Sequence, residues 1–367
     1  MNSVLDLARE DLRSRRGYLA ASPARDSVRL HANEAPWCIA TDGAEARVNW
    51  YPPPVSGDII ERLCSLYSVA AGQVLVTRGS DEGIDILMRS FCAAGRDSVL
   101  YCPPTFGMYR QCAEIQGAAI VEVPLLADQG FALDVDGIVE AAQVESARGA
   151  VKLVFVCTPN NPTGNPVATD VIRHLCCELS GRALVVVDEA YVEFSGRPGV
   201  AGLLDGLPNL VVLRTLSKAF GLAGARCGVV LAHPDIINLL RSVLPPYVLP
   251  TPVVNLLDQA LQPERLLLLR KNIDGLLQER ERVNEALARS PHVVKIWPSA
   301  ANFLLVRFRD ARGVMQRCER GSVLLRDFSY VPGLENCIRV TIGTAEDNRR
   351  FLNALAMEDV APGDAGQ

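Results

Sequence analysis

The chain has 367 residues, 49% of them apolar, and a formal net charge of −5. That length can bury two sizeable cores, and the lack of a basic surplus argues against a nucleic-acid partner. No apolar run reaches bilayer length, and the amino terminus carries Asp6, Glu10 and Asp11 in place of a basic-then-apolar leader, so no membrane association and a cytoplasmic location are expected.

Val4, Leu5, Ala8 and Leu12 share one face at helical spacing, which predicts an amphipathic helix over 3–14 and an irregular arm to about Arg29. His31–Pro36 reads as a strand end breaking into a turn, and Tyr51-Pro52-Pro53-Pro54 as a rigid extended segment before a helix at Asp58–Tyr67. Strands and helices then alternate. Strands are predicted at Val74–Thr77, Val99–Cys102, Ala119–Val123, Lys152–Cys157, Ala183–Val187 and Leu210–Leu213, with helices at Glu82–Phe91, Phe106–Gln116 and Thr169–Leu179. The last three strands are near-continuously apolar, the pattern of a parallel sheet covered on both faces. This predicts an α/β fold.

Prolines cluster at Pro245-Pro246 and Pro250–Pro252, where the alternation stops. A long helix is expected from Pro263 to about Arg289, then short strands at Val293–Ile296, Asn302–Phe308, Val323–Leu325 and Cys337–Ile342, and a closing helix at Asp347–Met357. That predicts a smaller α+β domain, followed by a disordered tail. Eleven cysteines without a CxxC pair read as reduced core residues, and four isolated histidines give no metal site.

Chemistry collects at the carboxyl ends of the predicted strands, where open α/β sheets bind ligands. Lys152–Cys157 runs into Thr158-Pro159-Asn160-Asn161-Pro162-Thr163-Gly164, Ala183–Val187 into Asp188-Glu189-Ala190-Tyr191, and Leu210–Leu213 leads to Ser217-Lys218. Val74–Thr77 leads to Gly79-Ser80-Asp81 at a helix start, whose free amides suit a phosphate. Lys218 is one of four lysines beside thirty-three arginines, and its neighbours are small or apolar, with Arg226 eight residues on. Such a lysine loses its proton easily and can form a Schiff base with an aldehyde, for which pyridoxal phosphate is the obvious candidate. Taken alone, a Ser-Lys pair would read as a helix-start lysine; three ordered strand-end motifs point past that.

These motifs resemble the fold-type I pyridoxal-phosphate aminotransferase superfamily and, from about Tyr18 to Ala356, its histidinol-phosphate aminotransferase family. The resemblance is carried by HANEAPW (31–37), YPPP (51–54), TRGSDEGID (77–85), CPPTFGMY (102–109), CTPNNPTGN (157–165), VVDEAYVEF (186–194), RTLSKAFGLAGARCG (214–228), LLRDF (324–328) and IRVTIGT (338–344). It implies that Lys218 holds the cofactor as an internal aldimine and shuttles the reaction's proton. Asp188 would pair with the pyridine nitrogen, Asn161 and Tyr191 with the phenolic oxygen, and Ser80, Asp81, Ser217 and Arg226 with the phosphate. Phe106 would stack on the ring, where tyrosine is usual in relatives. Tyr51 would reach the cofactor phosphate of a neighbouring subunit in a homodimer with shared active sites, although packing against its own prolines is equally natural.

The implied reaction exchanges an amino group between L-histidinol phosphate and the glutamate/2-oxoglutarate pair. Tyr18, Asn33, Arg326 and Arg339 would bind the substrates, with Arg339 matching a carboxylate-binding arginine and Arg326 with Tyr18 a phosphate site. Without the resemblance, Arg326 reads as a surface arginine and Arg339 as half of a structural ion pair. The segment between these two arginines is short. Rival activities on the same scaffold are an aromatic amino acid aminotransferase and a phosphothreonine decarboxylase-like lyase. The expected divisions are an arm (1–30), a first part of the small domain (31–46), a large cofactor-binding domain (47–248), a small carboxyl-terminal domain (249–358) and a tail (359–367).

Overall fold

The computed structural model describes residues 3–15, 17, 28–39, 48–52, 57–144 and 149–357. Tyr18, much of the arm and the tail lie outside the described residues.

After α1 (Gly57–Tyr67) come β1 (Val74–Thr77), α2 (Gly79–Phe91), β2 (Asp97–Tyr101), α3 (Met108–Gln116), β3 (Ala119–Glu122), α4 (Val135–Gln143), β4 (Ala150–Cys157), α5 (Thr169–Glu178), β5 (Leu184–Asp188), β6 (Leu210–Thr215) and β7 (Gly228–Ala232). The strands form one sheet in the order β1-β7-β6-β5-β4-β2-β3. Strand β7 runs antiparallel to both its neighbours, and the other pairs are parallel. The near-continuous apolar sequence of β5 and β6 follows from burial on two sides. Val185, Val187, Leu210 and Val212 pack into one core, while Leu184, Val186, Val211 and Leu213 pack into the other. Alternate side chains of a strand point to opposite faces, so each face supplies its own hydrophobic layer.

Helices α6 (Pro234–Val243), α7 (Thr251–Ala260) and α8 (Pro263–Ala288) lead to a second sheet. It contains β8 (Val293–Ile296), β9 (Phe303–Phe308), β10 (Arg326–Asp327) and β11 (Cys337–Thr341), with α9 (Ala311–Arg320) and α10 (Ala345–Leu355) beside it. Its order is β10-β11-β9-β8, all antiparallel. The architecture is therefore α/β, a mostly parallel sheet with a smaller antiparallel α+β part. No helix among the described residues is long and apolar enough to cross a membrane.

Three local expectations are corrected. The helix predicted over 3–14 is two 3-10 turns, Val4–Leu7 and Glu10–Leu12, because Ala8 and Arg9 are extended and the Arg9 N–H donates to the Ser90 carbonyl at 3.0 Å. Leu7, Ala8 and Leu12 still bury into the core, so the apolar pattern marks a face without needing a continuous helix. The strand expected at Val323–Leu325 begins at Arg326 instead, since the Val323 N–H is taken by the Cys318 carbonyl at the end of α9 (2.7 Å). His31–Pro36 contains no strand; Asn33 there has φ +57°.

Candidate active site

Strand register places the chemistry. Cys157 at the end of β4 pairs with Asp188 at the end of β5, and Asp188 with Leu213 of β6. Thr77 of β1 and Thr215 of β6 both pair with Gly228, so α2 starts beside the exit of β6. Their carboxyl ends open into one cavity lined by Ser80, Asp81, Phe106, Asn161, Asp188, Tyr191, Ser217, Lys218 and Arg226. Every cofactor residue expected from the sequence except Tyr51 is in that lining. Cys157, Ala190, Thr215 and Ala223 also line it. Two of these, Cys157 and Thr215, end strands, and the strand-end rule that found Asp188 could have found them.

Asp188 is 2% exposed. Its Oδ1 accepts the Ala190 N–H at 3.1 Å and its Oδ2 accepts the Tyr109 hydroxyl at 2.7 Å. No ion pair reaches it among the described residues. Burial pushes its pKa up to about 6, against the lowering effect of both hydrogen bonds. A buried carboxylate without a cation is costly, so this one is suited to a ligand that brings a positively charged N–H. Tyr109, fully buried on α3, was not singled out from the sequence as a site residue.

The start of α2 forms an anion cradle. Ser80 and Asp81 lie in its first turn, where backbone N–H groups lack helical acceptors. Gly79 has φ +80°, and a Cβ there would stand 2.9 Å from Arg226 Nη2. A Cβ on Gly228 would lie 2.2 Å from the Gly79 carbonyl carbon. Only glycine lets the β7 start, the α2 start and the arginine approach this closely. Arg226, itself at φ +51°, donates to Asp81 Oδ2 at 3.0 Å, which aims the guanidinium at the helix end. A phosphate fits these donors.

Lys218 opens to the cavity, with Nζ 5.7 Å from the centre of the Tyr191 ring. Enough of the chain surrounds the amine that desolvation, then the cations Arg339 and Arg226, lower its pKa, while Asp81 and Asp188 oppose them. Tyr191 is buried, its ring edge-on to Phe303 at 5.2 Å. Phe106 packs edge-on to Tyr109 at 5.8 Å.

Asn161 links the two sheets by accepting a hydrogen bond from Arg339 Nη1. The preceding Asn160 anchors the turn, donating to the Pro104 carbonyl at 2.9 Å and accepting from the Thr105 hydroxyl at 2.7 Å. The Arg339 guanidinium lies between Phe303 (5.2 Å) and Phe328 (5.5 Å), and its Nε is buried without a hydrogen-bond partner. Arg326 stands opposite Arg339 across the β10/β11 ladder and is exposed. Asn33 is exposed and outside the cavity lining, and Tyr51 is exposed and stacked on Tyr247 at 4.5 Å. Tyr18 lies outside the described residues.

Behind the cavity sits a buried ion cluster. Arg214 pairs with Glu189 at 3.1 Å and Glu193 at 2.7 Å, over the Tyr67 ring. Burial raises the Glu189 pKa to about 7, with Arg214 opposing it. The cluster fixes the segment directly after Asp188.

The fold and this site define an aminotransferase: the model of the family described as aminotransferase class I and II matches residues 26–355. Histidinol-phosphate aminotransferase from Xanthomonas euvesicatoria pv. vesicatoria (strain 85-10) is 46% identical over 357 residues, covering 96% of this chain and 97% of the relative. The enzyme of that name from Escherichia coli (strain SMS-3-5 / SECEC) is 40% identical over 98% of this chain and 99% of its own. Histidinol-phosphate aminotransferase from Sinorhizobium meliloti, solved in complex with pyridoxal-5'-phosphate, superposes with a TM-score of 0.75 at 24% identity, over 85% of this chain and 83% of that one. The chain belongs to the class I and II aminotransferases and, within them, to the histidinol-phosphate aminotransferase family.

Proposed function

We propose that the chain transfers an amino group between L-histidinol phosphate and 2-oxoglutarate, in histidine biosynthesis, using pyridoxal 5'-phosphate. The observation that carries the cofactor assignment is the buried Asp188 carboxylate, without a cation of its own, in one cavity with Lys218 and a helix-start anion cradle. Identity of 46% over almost the whole chain to a histidinol-phosphate aminotransferase carries the substrate assignment.

When bound, pyridoxal phosphate supplies an electron sink for the carbanion formed at the substrate α-carbon. Asp188 would accept the ring N–H and keep it charged. Asn161 and Tyr191 would hydrogen-bond the phenolic oxygen, and Phe106 would pack on the ring. The Ser80 and Asp81 amides, the Ser217 hydroxyl and the Arg226 fork would hold the phosphate. Lys218, with its lowered pKa, is available as a free amine to hold the cofactor and to take the proton from the substrate α-carbon and return it.

Arg339 binds the carboxylate of the glutamate/2-oxoglutarate pair. Arg326, with Tyr18 and Asn33, receives the phosphate end of histidinol phosphate. Tyr51, on the surface of its own subunit, serves the site of a second copy, which makes the working unit a homodimer; a cytoplasmic location belongs to the same reading. The division into a large domain (47–248) and a small one (31–46 with 249–358) belongs to this reading. Product analysis with L-histidinol phosphate and 2-oxoglutarate tests the activity: glutamate and imidazole-acetol phosphate support it. Preferential turnover of phenylalanine, or release of carbon dioxide from phosphothreonine, would move the chain to one of the rival activities.

A further inference from the structure

A fully buried tyrosine needs a hydrogen-bond partner, and most find a backbone carbonyl. Tyr109 instead donates to Asp188, the buried carboxylate of the cavity lining, at 2.7 Å. Its ring cannot swing away. It is stacked on Phe155 at 4.7 Å, meets Phe106 edge-on at 5.8 Å and packs near Tyr101 at 6.5 Å. Phe106 is part of the cavity wall, so one aromatic group joins the wall to the carboxylate.

We propose that Tyr109 is the positioning residue for Asp188: its hydroxyl, together with the Ala190 N–H, fixes the plane of the carboxylate and keeps it in its anionic form for the cofactor's ring nitrogen. The inference rests on the cofactor reading above. Each donor occupies a different oxygen, so rotation of the carboxylate about its Cβ–Cγ bond would break both bonds. A buried anion gains most from donors that are fixed beforehand, because they need not reorganise when the ligand arrives. The donor also persists. Burial and the neighbouring Asp188 hold the phenol well above its usual pKa, so it does not ionise in the working range. Tyr109 touches neither substrate nor reacting atoms in this assignment; it acts through Asp188.

The test is a double-mutant cycle on the full-length enzyme, made of Tyr109→Phe, Asp188→Asn and the double variant, read by the dissociation constant of pyridoxal phosphate. Phenylalanine retains the ring that stacks on Phe155, and thermal melts of the cofactor-free proteins register any separate effect on folding. Loss of a hydrogen bond to a charged group predicts about tenfold weaker cofactor binding in Tyr109→Phe, and less than about a twofold change when Asp188 is already Asn. It also predicts a lower kcat with an unchanged KM for the amino donor. An equal loss in both backgrounds, or none in either, would overturn the proposal while leaving the cofactor assignment intact. Failure of the wild-type protein to take up pyridoxal phosphate would overturn both.

Discussion

Arg326 on β10 and Arg339 on β11 are directly opposite each other on paired antiparallel strands. Like charges in that arrangement repel, and Arg326 contributes to lowering the pKa of Arg339, after burial. An anion between or beside them would relieve the repulsion, which is what the proposed binding of substrate anions by this pair supplies.

The two arginines should separate by substrate. Arg339→Ala should raise KM for 2-oxoglutarate about ten- to a hundredfold, the size of a lost charged hydrogen bond. Arg339→Lys should not restore it, because an ammonium cannot reproduce the planar fork held between Phe303 and Phe328. Arg326→Ala should raise KM for histidinol phosphate while leaving that for 2-oxoglutarate within about threefold. Steady-state kinetics with each substrate varied in turn provide the check.

Asp188 predicts a pH dependence of the cofactor-free protein. Its pKa rises from an ordinary 3.8 to about 6 in the folded chain. The folded state thus binds the extra proton, and the stability this contributes is complete below pH 3.8 and lost as pH rises through about 6. Asp188→Asn cannot titrate and should lack a decline of about 3 kcal/mol over that window. Glu189 titrates in both proteins, so the difference between their denaturation curves at several pH values isolates Asp188.

Gly228→Ala would set a Cβ 2.2 Å from the Gly79 carbonyl carbon and 2.4 Å from the Ser80 nitrogen. Both are backbone atoms and cannot swing aside. The variant should lose about 2–3 kcal/mol in chemical denaturation and bind pyridoxal phosphate more weakly, because the start of α2 must shift. Unchanged stability and affinity would contradict the close packing described for the cradle.

Arg214→Met tests the cluster behind the cavity. It would leave Glu189 and Glu193 buried without their shared cation, at a cost of about 3–5 kcal/mol. The loss should be smaller at acid pH, where Glu189, with its pKa near 7, is protonated. Denaturation at two pH values reads this directly.

Much of this molecule was legible because its chemistry and its periodicity coincide. Continuous apolar runs located β4, β5 and β6, and the polar residues that interrupt them, Asn161, Asp188 and Lys218, converge on one cavity. The missed strand Gly228–Ala232 is equally apolar, but it follows the lysine motif so closely that the motif absorbed it. It runs antiparallel to β6, which it follows directly in the chain, but its other pairing, with β1 about 150 residues earlier, is one that local pattern cannot encode. Helices α4, α6, α7 and α9 carry a helical period comparable to or clearer than that of α3 and α5, which are of similar length, so their periodicity was there to be read; α4 precedes the first of the three ordered strand-end motifs and the others follow the last of them, away from the stretch where the chemistry drew attention. At the amino terminus the opposite happened: a helical pattern was present, and one hydrogen bond from Arg9 to Ser90 divided it. Tyr109 was invisible because its significance lies in a contact with Asp188, 79 residues away.

The most direct test of the central claim is the visible spectrum of the purified, pyridoxal-phosphate-loaded protein before and after L-histidinol phosphate is added without a keto acid. The account predicts that the band of lysine-bound cofactor is replaced by that of the amine form, that 2-oxoglutarate restores it, and that Lys218→Ala never displays it. Loss of the band with phenylalanine but not with histidinol phosphate would contradict the substrate assignment, and a protein that forms no such band would contradict the role of Lys218.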